Sequence, residues 1–195
     1  MDASIWSATL AAFCEEVGGS NPAPAAVAVS AVAANLGLGL LTKVLEITAR
    51  RKSFSGDSRK LRNLIDAARR EVQQLRTAAD EDTAVVRQYL SSRNPAVLRN
   101  AIEVPMRAAR AAVAGLDLCG EATSIIYGLP AADLGAAVLL LSASVRAILL
   151  SVDFNLRQLR SEEQYSEGIA GERRLLEDRT ASQVTAILLR ISADA

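Results

Sequence analysis

The amino-acid sequence predicts an all-α protein, a mainly antiparallel bundle of about six helices that forms one domain over residues 1–195. Half of the residues are hydrophobic but only 4% are aromatic, a composition that suits closely packed helices better than sheets. Apolar residues recur at spacings of three and four, as they do on one face of a helix. The strict alternation of apolar and polar residues that is typical of strands is absent from the sequence.

The first two helices are predicted from an apolar stripe and from an uncharged run. A stripe with one-turn spacing predicts a helix over about 3–17, which two glycines would end. The stripe consists of Trp6, Leu10, Phe13 and Val17. After Pro24, the run from Ala25 to Thr42 is apolar on all faces, which predicts a second helix buried at the centre of the bundle.

The third helix carries a long stripe in strict four-three alternation. Its members are Leu61, Ile65, Ala68, Val72, Leu75, Ala79, Asp82, Val86 and Tyr89. Asp82 is the one charged member, and a buried carboxylate needs a partner or a raised pKa because lost hydration is costly. Two interpretations stay open: a salt bridge to another core helix, or a functional carboxyl group.

The fourth helix is predicted from Asn94-Pro95, which suits an N-cap followed by a first turn. Pro105 lies inside this helix and predicts a kink, because proline has no N–H to donate. The carbonyl group of Ala101 should therefore lack its usual helical donor.

Pro130 marks the start of a fifth helix, which we expect to run to about residue 159 and to lie with the second helix at the centre. Asp133 falls in its first turn, where free amide groups and the helix dipole stabilise a carboxylate. A sixth helix should extend to about residue 192.

Charge and residue types exclude several classes of protein. The chain has 22 basic and 22 acidic residues, and this zero balance argues against a general nucleic-acid binder. Histidine is absent, which excludes Ser-His-Asp and Cys-His catalytic systems and zinc sites built on imidazole. Cys14 and Cys119 are too few for a metal cluster or a disulfide framework, and predict reduced, packed thiols in a cytoplasmic protein. We expect neither a metal nor a bound cofactor.

A membrane span is not favoured. The run from Ala25 to Thr42 approaches the necessary length, but Lys43 follows it at once, and Asp133 and Arg146 interrupt the other apolar run near 129–152. The N-terminus lacks the positive stretch of a secretory signal. We expect a cytoplasmic protein with no membrane partner.

A basic segment from Arg50 to Arg76 contains nine Lys or Arg residues. It suits a solvated helix face or, alternatively, an anchor for an anionic ligand tail. The sequence contains neither a Walker motif nor Gly-x-Gly-x-x-Gly, so nothing in it indicates a nucleotide cofactor.

Four separated motifs follow one another along about residues 5–160. They are the loop and helix from Pro22 to Phe54, Asp80-Glu81-Asp82, Glu103-Val104-Pro105, and Ala132-Asp133-Leu134-Gly135, followed in register by Arg146 and Asn155-Leu156. In this order they resemble the motifs of the cyclodeaminase/cyclohydrolase family. That family includes the cyclodeaminase part of formiminotransferase-cyclodeaminase and bacterial methenyltetrahydrofolate cyclohydrolases.

The departures from the family pattern fall where the family holds its ligand. Its three loop glycines are Ala25, Ala26 and Val27 here, and their side chains would fill space that glycine leaves open. An asparagine of the family's helix is Glu46, and the Asn-rich loop before Asp133 is replaced by a segment that begins with Tyr127. A tetrahydrofolate derivative and a non-folate imine therefore both remain candidate substrates.

The resemblance implies chemistry at a ring C–N bond, through an imine or amidine carbon that is already electrophilic. Such chemistry needs a positioned water or nucleophile and a proton-transfer group. We expect Asp82 to be the general base, Asp133 to stay ionised beside a cationic intermediate, and Glu46 to add a third acid or to form surface ion pairs. The expected substrate-binding residues are Pro24, Ala25, Ala26, Val27, Lys43, Arg50, Tyr127, Arg146 and Asn155.

Three functions are compatible with these features. The first is a cyclohydrolase- or cyclodeaminase-like enzyme. The second is a diverged cyclase that closes a ring on a natural-product intermediate, and the third is a non-catalytic helical dimerisation or binding module whose site has closed. The resemblance, together with the small residues of the second helix, also predicts a homodimer.

Overall fold

The structure of the protein is a computed structural model that describes residues 4–52, 54, 56–92, 94–126, 128–159 and 162–193. Within these residues it contains six α-helices and one turn of 3-10 helix at Ile5–Ser7, and no strand. The predicted all-α class is confirmed. The helices are α1 (Leu10–Val17), α2 (Ala26–Ala49), α3 (Ser58–Ser92), α4 (Pro95–Ala122), α5 (Pro130–Leu156) and α6 (Glu163–Ala193).

Helices α2, α3, α4 and α5 form a bundle in which sequential neighbours are antiparallel and α5 packs back on α2. The direction of α5 against α2 follows from two contacts. Gly37 lies against the carbonyl oxygen of Ala137, while Lys43, farther along α2, pairs with Asp133 at the start of α5. The predicted antiparallel bundle is thus confirmed.

Helix α6 packs against α4 and α5 on the outside of this bundle. It runs parallel to α4, because Arg110 pairs with Glu172 and Arg179 pairs with Asp117 seven residues farther along both helices. Helices α2 and α4, both antiparallel to α3, also run parallel and touch, so the bundle is mainly, rather than wholly, antiparallel.

Six of the nine members of the α3 stripe are buried, and Val72, Val86 and Tyr89 are half-buried. Leu61, Ile65, Ala68, Leu75 and Ala79 all belong to the core. Asp82 is buried with them, only 4% exposed. The four-three pattern therefore located the inner face of α3 correctly, including its one charged position.

Helices α2 and α5 pack more extensively on each other than any other pair, but neither is enclosed on all sides. The outer face of each is apolar and exposed, with Leu36 of α2 59% exposed and Leu139 of α5 55% exposed. The expectation that α2 and α5 lie at the centre of the bundle therefore holds for the faces that they share and is wrong for these outer faces in a single chain.

Both helices are also long and apolar enough to cross a membrane, judged by length and composition alone. In each, half of the most apolar stretch is buried inside the protein, and a core helix of a soluble protein passes the same test. From the sequence, the charges near 129–152 were expected to exclude that stretch as a membrane span. That expectation is wrong, because α5 passes the test and has the higher mean hydropathy of the two helices.

The N-terminal helix is shorter than predicted. Thr9 has an extended backbone and its side chain accepts a hydrogen bond from the N–H of Ala12, so it caps α1 and ends the preceding turn. Trp6 therefore lies outside α1, where its Nε1 donates to the carbonyl oxygen of Arg76 over 3.1 Å. No residue of α1 is buried.

The two cysteines lie in different environments. Cys119 is fully buried, and burial raises the pKa of its thiol to about 12, which makes it unreactive. Cys14 is exposed on α1. The prediction of a packed thiol is therefore confirmed for Cys119 and wrong for Cys14.

Candidate functional site

A cavity of about 410 Å³ lies between the N-terminus of α2, the C-terminal third of α3 and the C-terminal half of α5. Its volume falls within the range of small-molecule sites. Its lining residues are Ala25, Ala26, Val27, Asp82, Val86, Ala147, Leu150, Ser151, Phe154 and Asn155. Ala25, Ala26 and Val27 therefore form part of the wall of a cavity that stays open beside their side chains.

Among the described residues that line this cavity, Asp82 contributes the one ionisable group. Burial raises the pKa of its carboxyl group to about 6, although the nearby backbone N–H of Ala28 favours the ionised form. Its Oδ2 is buried and has no hydrogen-bond partner among the described residues. The salt bridge that one interpretation expected is not found in the part of the chain that the structure describes. A carboxyl group in this state can gain or lose a proton near neutral pH.

Asn155 is the second polar group of the cavity, and a hydrogen bond to a neighbouring helix holds its side chain. Its Nδ2 donates to the carbonyl oxygen of Ala101 on α4 over 2.6 Å. Ala101 is the residue whose carbonyl Pro105 leaves without a helical donor. The orphaned carbonyl that the sequence predicted is therefore satisfied by a side chain from α5.

Five cavity residues were not identified from the sequence as site residues: Val86, Ala147, Leu150, Ser151 and Phe154. A signal for them exists in the spacing. Val86 follows Asp82 by one turn on the same stripe of α3, and the other four precede Asn155 within about two turns on one side of α5. Counting helical turns from Asp82 and Asn155 would therefore have predicted these lining residues.

The sequence model of the formiminotransferase-cyclodeaminase family matches residues 9–174. The chain belongs to this family.

A crystal structure of formiminotetrahydrofolate cyclodeaminase from Thermotoga maritima has the same fold as this family member. The two superpose with a TM-score of 0.84, over 97% of this chain and 96% of the other, at 17% sequence identity. No curated protein matches the chain significantly.

Asp133 lies far from the cavity of this formiminotransferase-cyclodeaminase family protein. Its Oδ2 is 2.8 Å from Nζ of Lys43, near the C-terminal end of α2, whereas Asp82 lies beside Ala28 at the N-terminal end. At 1.5 Å per residue, Ala28 and Lys43 are separated by about 22 Å along α2. The expectation that Asp82 and Asp133 share one site is therefore wrong within a single chain, because antiparallel packing places them at opposite ends.

Glu46 and Arg50 also lie toward the C-terminal end of α2. Glu46 Oε1 is 3.0 Å from an Nη2 atom of Arg69 on α3, as in the surface ion pair that one interpretation expected. Arg50 follows the last residue of α2 and is exposed. Neither residue lines the cavity, so the structure does not bring Lys43, Glu46 or Arg50 to Asp82 within one chain.

The remaining predicted site residues are placed as follows. Pro24 is buried directly before the cavity segment that begins at Ala25. Arg146 is exposed on the outer face of α5, next to the cavity residue Ala147, with no hydrogen bond or ion pair to the described part of the chain. Tyr127 lies outside the described residues.

Metal ligation has no candidate cluster among the residues described. No group of three or more His, Cys, Asp or Glu side chains there is close enough to hold an ion. The polar groups at the cavity are instead a carboxyl group, a carboxamide and the Ser151 hydroxyl, whose Oγ lies 3.4 Å from the carbonyl oxygen of Ala147.

Proposed function

We propose that the protein is an enzyme that makes or breaks a ring C–N bond at an imine or amidine carbon, and that the Asp82 cavity is its active site. The observation that carries this proposal is the state of Asp82, which lines an open cavity and whose buried Oδ2 has no hydrogen-bond partner among the described residues. An unsatisfied buried carboxyl group is costly to the fold. A ligand that donates a hydrogen bond to Asp82 explains why the fold keeps this unfavourable group.

Asp82 serves as general acid and base in this proposal. In the hydrolytic direction, its carboxylate takes a proton from water as the water oxygen bonds to the amidine carbon. The resulting carboxylic acid then donates that proton to the ring nitrogen as the C–N bond breaks. A pKa of about 6 suits both steps, because the group is readily protonated and deprotonated near neutral pH.

A tetrahydrofolate derivative is the first substrate to test, because the chain belongs to a family named for cyclodeaminase activity. The cavity volume of about 410 Å³ is sufficient for a bicyclic ring. The chain's loop residues Ala25, Ala26 and Val27 differ from the family's glycines, so the walls around that ring are more apolar than three glycines would make them.

A cyclase that closes a ring on an apolar natural-product intermediate is the second candidate. Seven of the ten residues that line the cavity are apolar, which favours a substrate with fewer polar groups than a pterin. The non-catalytic alternative assumed a closed site, and the open cavity at Ala25–Val27 gives it no support.

The deciding experiment measures hydrolysis of methenyltetrahydrofolate by absorbance and ammonia release from formiminotetrahydrofolate. Wild-type protein, Asp82→Asn and an uncatalysed control are compared. Turnover above the control that Asp82→Asn loses supports the first candidate. Absence of turnover and of folate binding by the wild type rejects a folate substrate and leaves the cyclase.

We also propose that the enzyme is a homodimer, formed through the apolar outer faces of α2 and α5. These faces include Leu36, Leu139, Leu150 and Phe154, each more than half exposed in the single chain. Contiguous apolar surfaces of this kind mark interaction sites. A twofold axis across the middle of α2 makes the two copies of this helix antiparallel, so the C-terminal half of one lies against the N-terminal half of the other.

Such a dimer accounts for the separation of Asp82 from Asp133. The exposed residues Leu150 and Phe154 belong both to the outer face and to the cavity wall, so the interface reaches the cavity. The antiparallel arrangement moves the Lys43–Asp133 pair of one subunit toward the Asp82 cavity of the other. In this proposal Asp133 supports a cationic intermediate across the interface.

The location that fits these features is the cytoplasm, where Cys14 and Cys119 stay reduced. Both cysteines are free. Fractionation of the native protein, followed by detection of the Asp82-dependent activity in the soluble cytoplasmic fraction, tests this location.

A further inference from the structure

The hydrogen bond between Asn155 and Ala101 determines which atoms Asn155 offers to the cavity. A carbonyl oxygen can only accept, so the branch of the carboxamide that contacts Ala101 must be the NH₂ group. That bond is 2.6 Å long. The other branch, Oδ1, is an acceptor and receives no hydrogen bond from any residue that the structure describes.

Pro105 is the reason that this bond exists. In an uninterrupted helix the N–H of residue 105 donates to the carbonyl of residue 101. Proline lacks that N–H, and Pro105 lies within α4. The carbonyl of Ala101 is therefore available to Asn155, which reaches it from the facing helix α5.

Two residues that line one apolar cavity, Asn155 and Asp82, consequently each carry a hydrogen-bond acceptor: Oδ1 of Asn155 and the buried Oδ2 of Asp82. Each lacks a donor among the described residues. A ligand complements them if it presents two N–H donors beside an apolar ring. An amidine that keeps N–H groups, such as a formimino group, has this chemistry, whereas a fully substituted amidine or a carboxylate of the same shape does not.

We propose that Pro105 is a positioning residue for substrate recognition, which acts by directing the NH₂ of Asn155 to Ala101 and leaving Oδ1 as an acceptor for an N–H of an amidine substrate. This inference rests on the proposed function for its substrate class. The position of Asn155 is independent of any turnover, and the two can be tested separately.

The first test uses a double-mutant cycle with benzamidine as the probe, titrated by calorimetry at pH 7.5. Pro105→Ala returns an N–H to α4 that competes for the Ala101 carbonyl and releases Asn155. We expect the Kd of benzamidine to rise about tenfold in Pro105→Ala and in Asn155→Ala, the scale of one hydrogen bond. Benzoate, which lacks N–H donors, should bind at least tenfold more weakly than benzamidine to the wild type.

The cycle separates recognition from a purely structural role. If Asn155 only satisfies Ala101, then Pro105→Ala supplies a replacement donor, and Pro105→Ala and Pro105→Ala/Asn155→Ala should both bind benzamidine as the wild type does. That result overturns the inference. Equal loss of binding in the two single variants and in the double variant supports it.

A matched control is available on another helix pair. Asn35 on α2 donates its Nδ2 to the carbonyl oxygen of Val72 on α3 over 3.1 Å, and it does not line the cavity. Asn35→Ala removes the same kind of interhelical bond and should leave the Kd of benzamidine within twofold of the wild-type value. A tenfold rise in this control would show that any loosened helix contact has the same effect, and would overturn the inference.

A second readout follows the side-chain amide of Asn155 itself. Its ¹H–¹⁵N resonances are identified by their absence in Asn155→Ala, and their hydrogen exchange should be slow in the wild type and at least tenfold faster in Pro105→Ala. Unchanged exchange means that Pro105 does not position Asn155. If the amide responds as expected and benzamidine binds, but no folate turns over, the inference stands while the folate substrate fails.

Discussion

Lys43 and Asp133 form an ion pair of 2.8 Å at the end of the bundle opposite the Asp82 cavity. Both side chains are substantially exposed, 56% for Lys43 and 38% for Asp133, and exposed pairs contribute little to stability. A purely structural role for this pair therefore predicts small effects in every assay. A role in catalysis requires a second subunit, because no single chain brings Asp133 to Asp82.

Mixed subunits test that requirement. In the proposed dimer, Asp82→Asn and Asp133→Asn homodimers each have impaired activity, but a heterodimer contains one site with both native aspartates. Unfolding and refolding an equimolar mixture should restore about a quarter of the wild-type activity, since half of the dimers are mixed and one site in each is intact. Activity is measured on the unseparated mixture, and the heterodimer purified by its two different tags should have about half of the wild-type activity per dimer.

The outcomes of this mixing experiment are distinct. Full activity of the Asp133→Asn homodimer would remove Asp133 from catalysis altogether. Two impaired homodimers whose mixture gains no activity would show that the site is complete within each subunit or that Asp133 acts elsewhere.

Replacement of Asp82 by asparagine should abolish the proton transfer but preserve the fold. Asparagine has nearly the same shape, and we expect turnover to fall by about 10²-fold or more, the scale for loss of a general base. Circular dichroism should show unchanged helix content. The pH dependence of kcat/KM should lose its limb near pH 6 in Asp82→Asn and keep it in Asp133→Asn.

Asp80 provides the matched control for this substitution. It lies on the same helix, but its carboxylate accepts hydrogen bonds from Ser4 Oγ at 2.7 Å and from the N–H of Ile5 at 3.0 Å. Asp80→Asn should leave turnover within about twofold of wild type, because it is outside the cavity. Full activity of Asp82→Asn on a demonstrated substrate would reject the assignment of Asp82.

Stability should also depend on the ionisation of Asp82, with a definite sign. The pKa of Asp82 is raised from 3.8 to about 6 in the folded protein, so the folded state binds this proton more tightly than the unfolded state. The favourable contribution of the protonated group is present below pH 4 and is lost as pH rises from about 4 to 6. Above pH 6 the ionised group lowers the free energy of unfolding by up to about 3 kcal/mol.

Urea unfolding of wild type and Asp82→Asn between pH 4 and 8 measures this effect. The variant should be the more stable protein at pH 7 to 8, and the difference should shrink toward pH 4, where both side chains are neutral. A difference that does not vary with pH would show that the carboxyl group of Asp82 titrates as it does in water.

The sequence predicted which face of each helix is buried better than it predicted where residues of different helices lie along the axis of the bundle. The stripe of α3 correctly placed Asp82 in the core, because burial follows from helical periodicity alone. Periodicity does not give the height of a residue relative to another helix, so the carboxyl groups of Asp82 and Asp133 were expected together. Chain direction could have corrected this, because antiparallel α3 places Asp82 beside the start of α2.

The cavity itself was only partly predictable. Proline chemistry alone showed that the carbonyl of Ala101 would need a donor, but the sequence did not reveal that Asn155 supplies it. That contact depends on the register between α4 and α5, which is set by packing across the whole bundle. The resemblance located the Ala25–Val27 segment, while the open space beside it depends on how far apart the three surrounding helices lie.

Close packing of α2 against α5 gives a prediction about stability alone. A Cβ atom at Gly37 would lie 3.1 Å from the carbonyl oxygen of Ala137 and 3.2 Å from Cγ of Leu141. Gly37→Ala should therefore force the helices apart and lower the free energy of unfolding by about 1–3 kcal/mol. Gly168 on α6 has nothing within 4 Å of its Cβ position, and Gly168→Ala should raise stability by up to about 1 kcal/mol. Denaturant unfolding of both variants checks the contrast, and a stabilising Gly37→Ala would contradict it.

The last prediction tests the proposed homodimer. Its interface residues are no more exposed than some apolar residues elsewhere on the surface, and they differ from those residues only in position. Leu36 and Leu139 lie on the outer faces of α2 and α5, 59% and 55% exposed, while Leu175 on α6 is 70% exposed. A charge at the centre of an apolar interface opposes association, since the ionised group loses its hydration there without a partner. Sedimentation at micromolar concentration, without detergent, should therefore show a dimer for the wild type and for Leu175→Asp. It should show a monomer for Leu36→Asp and Leu139→Asp, each with native helix content, and a wild-type monomer would reject the dimer together with the shared site.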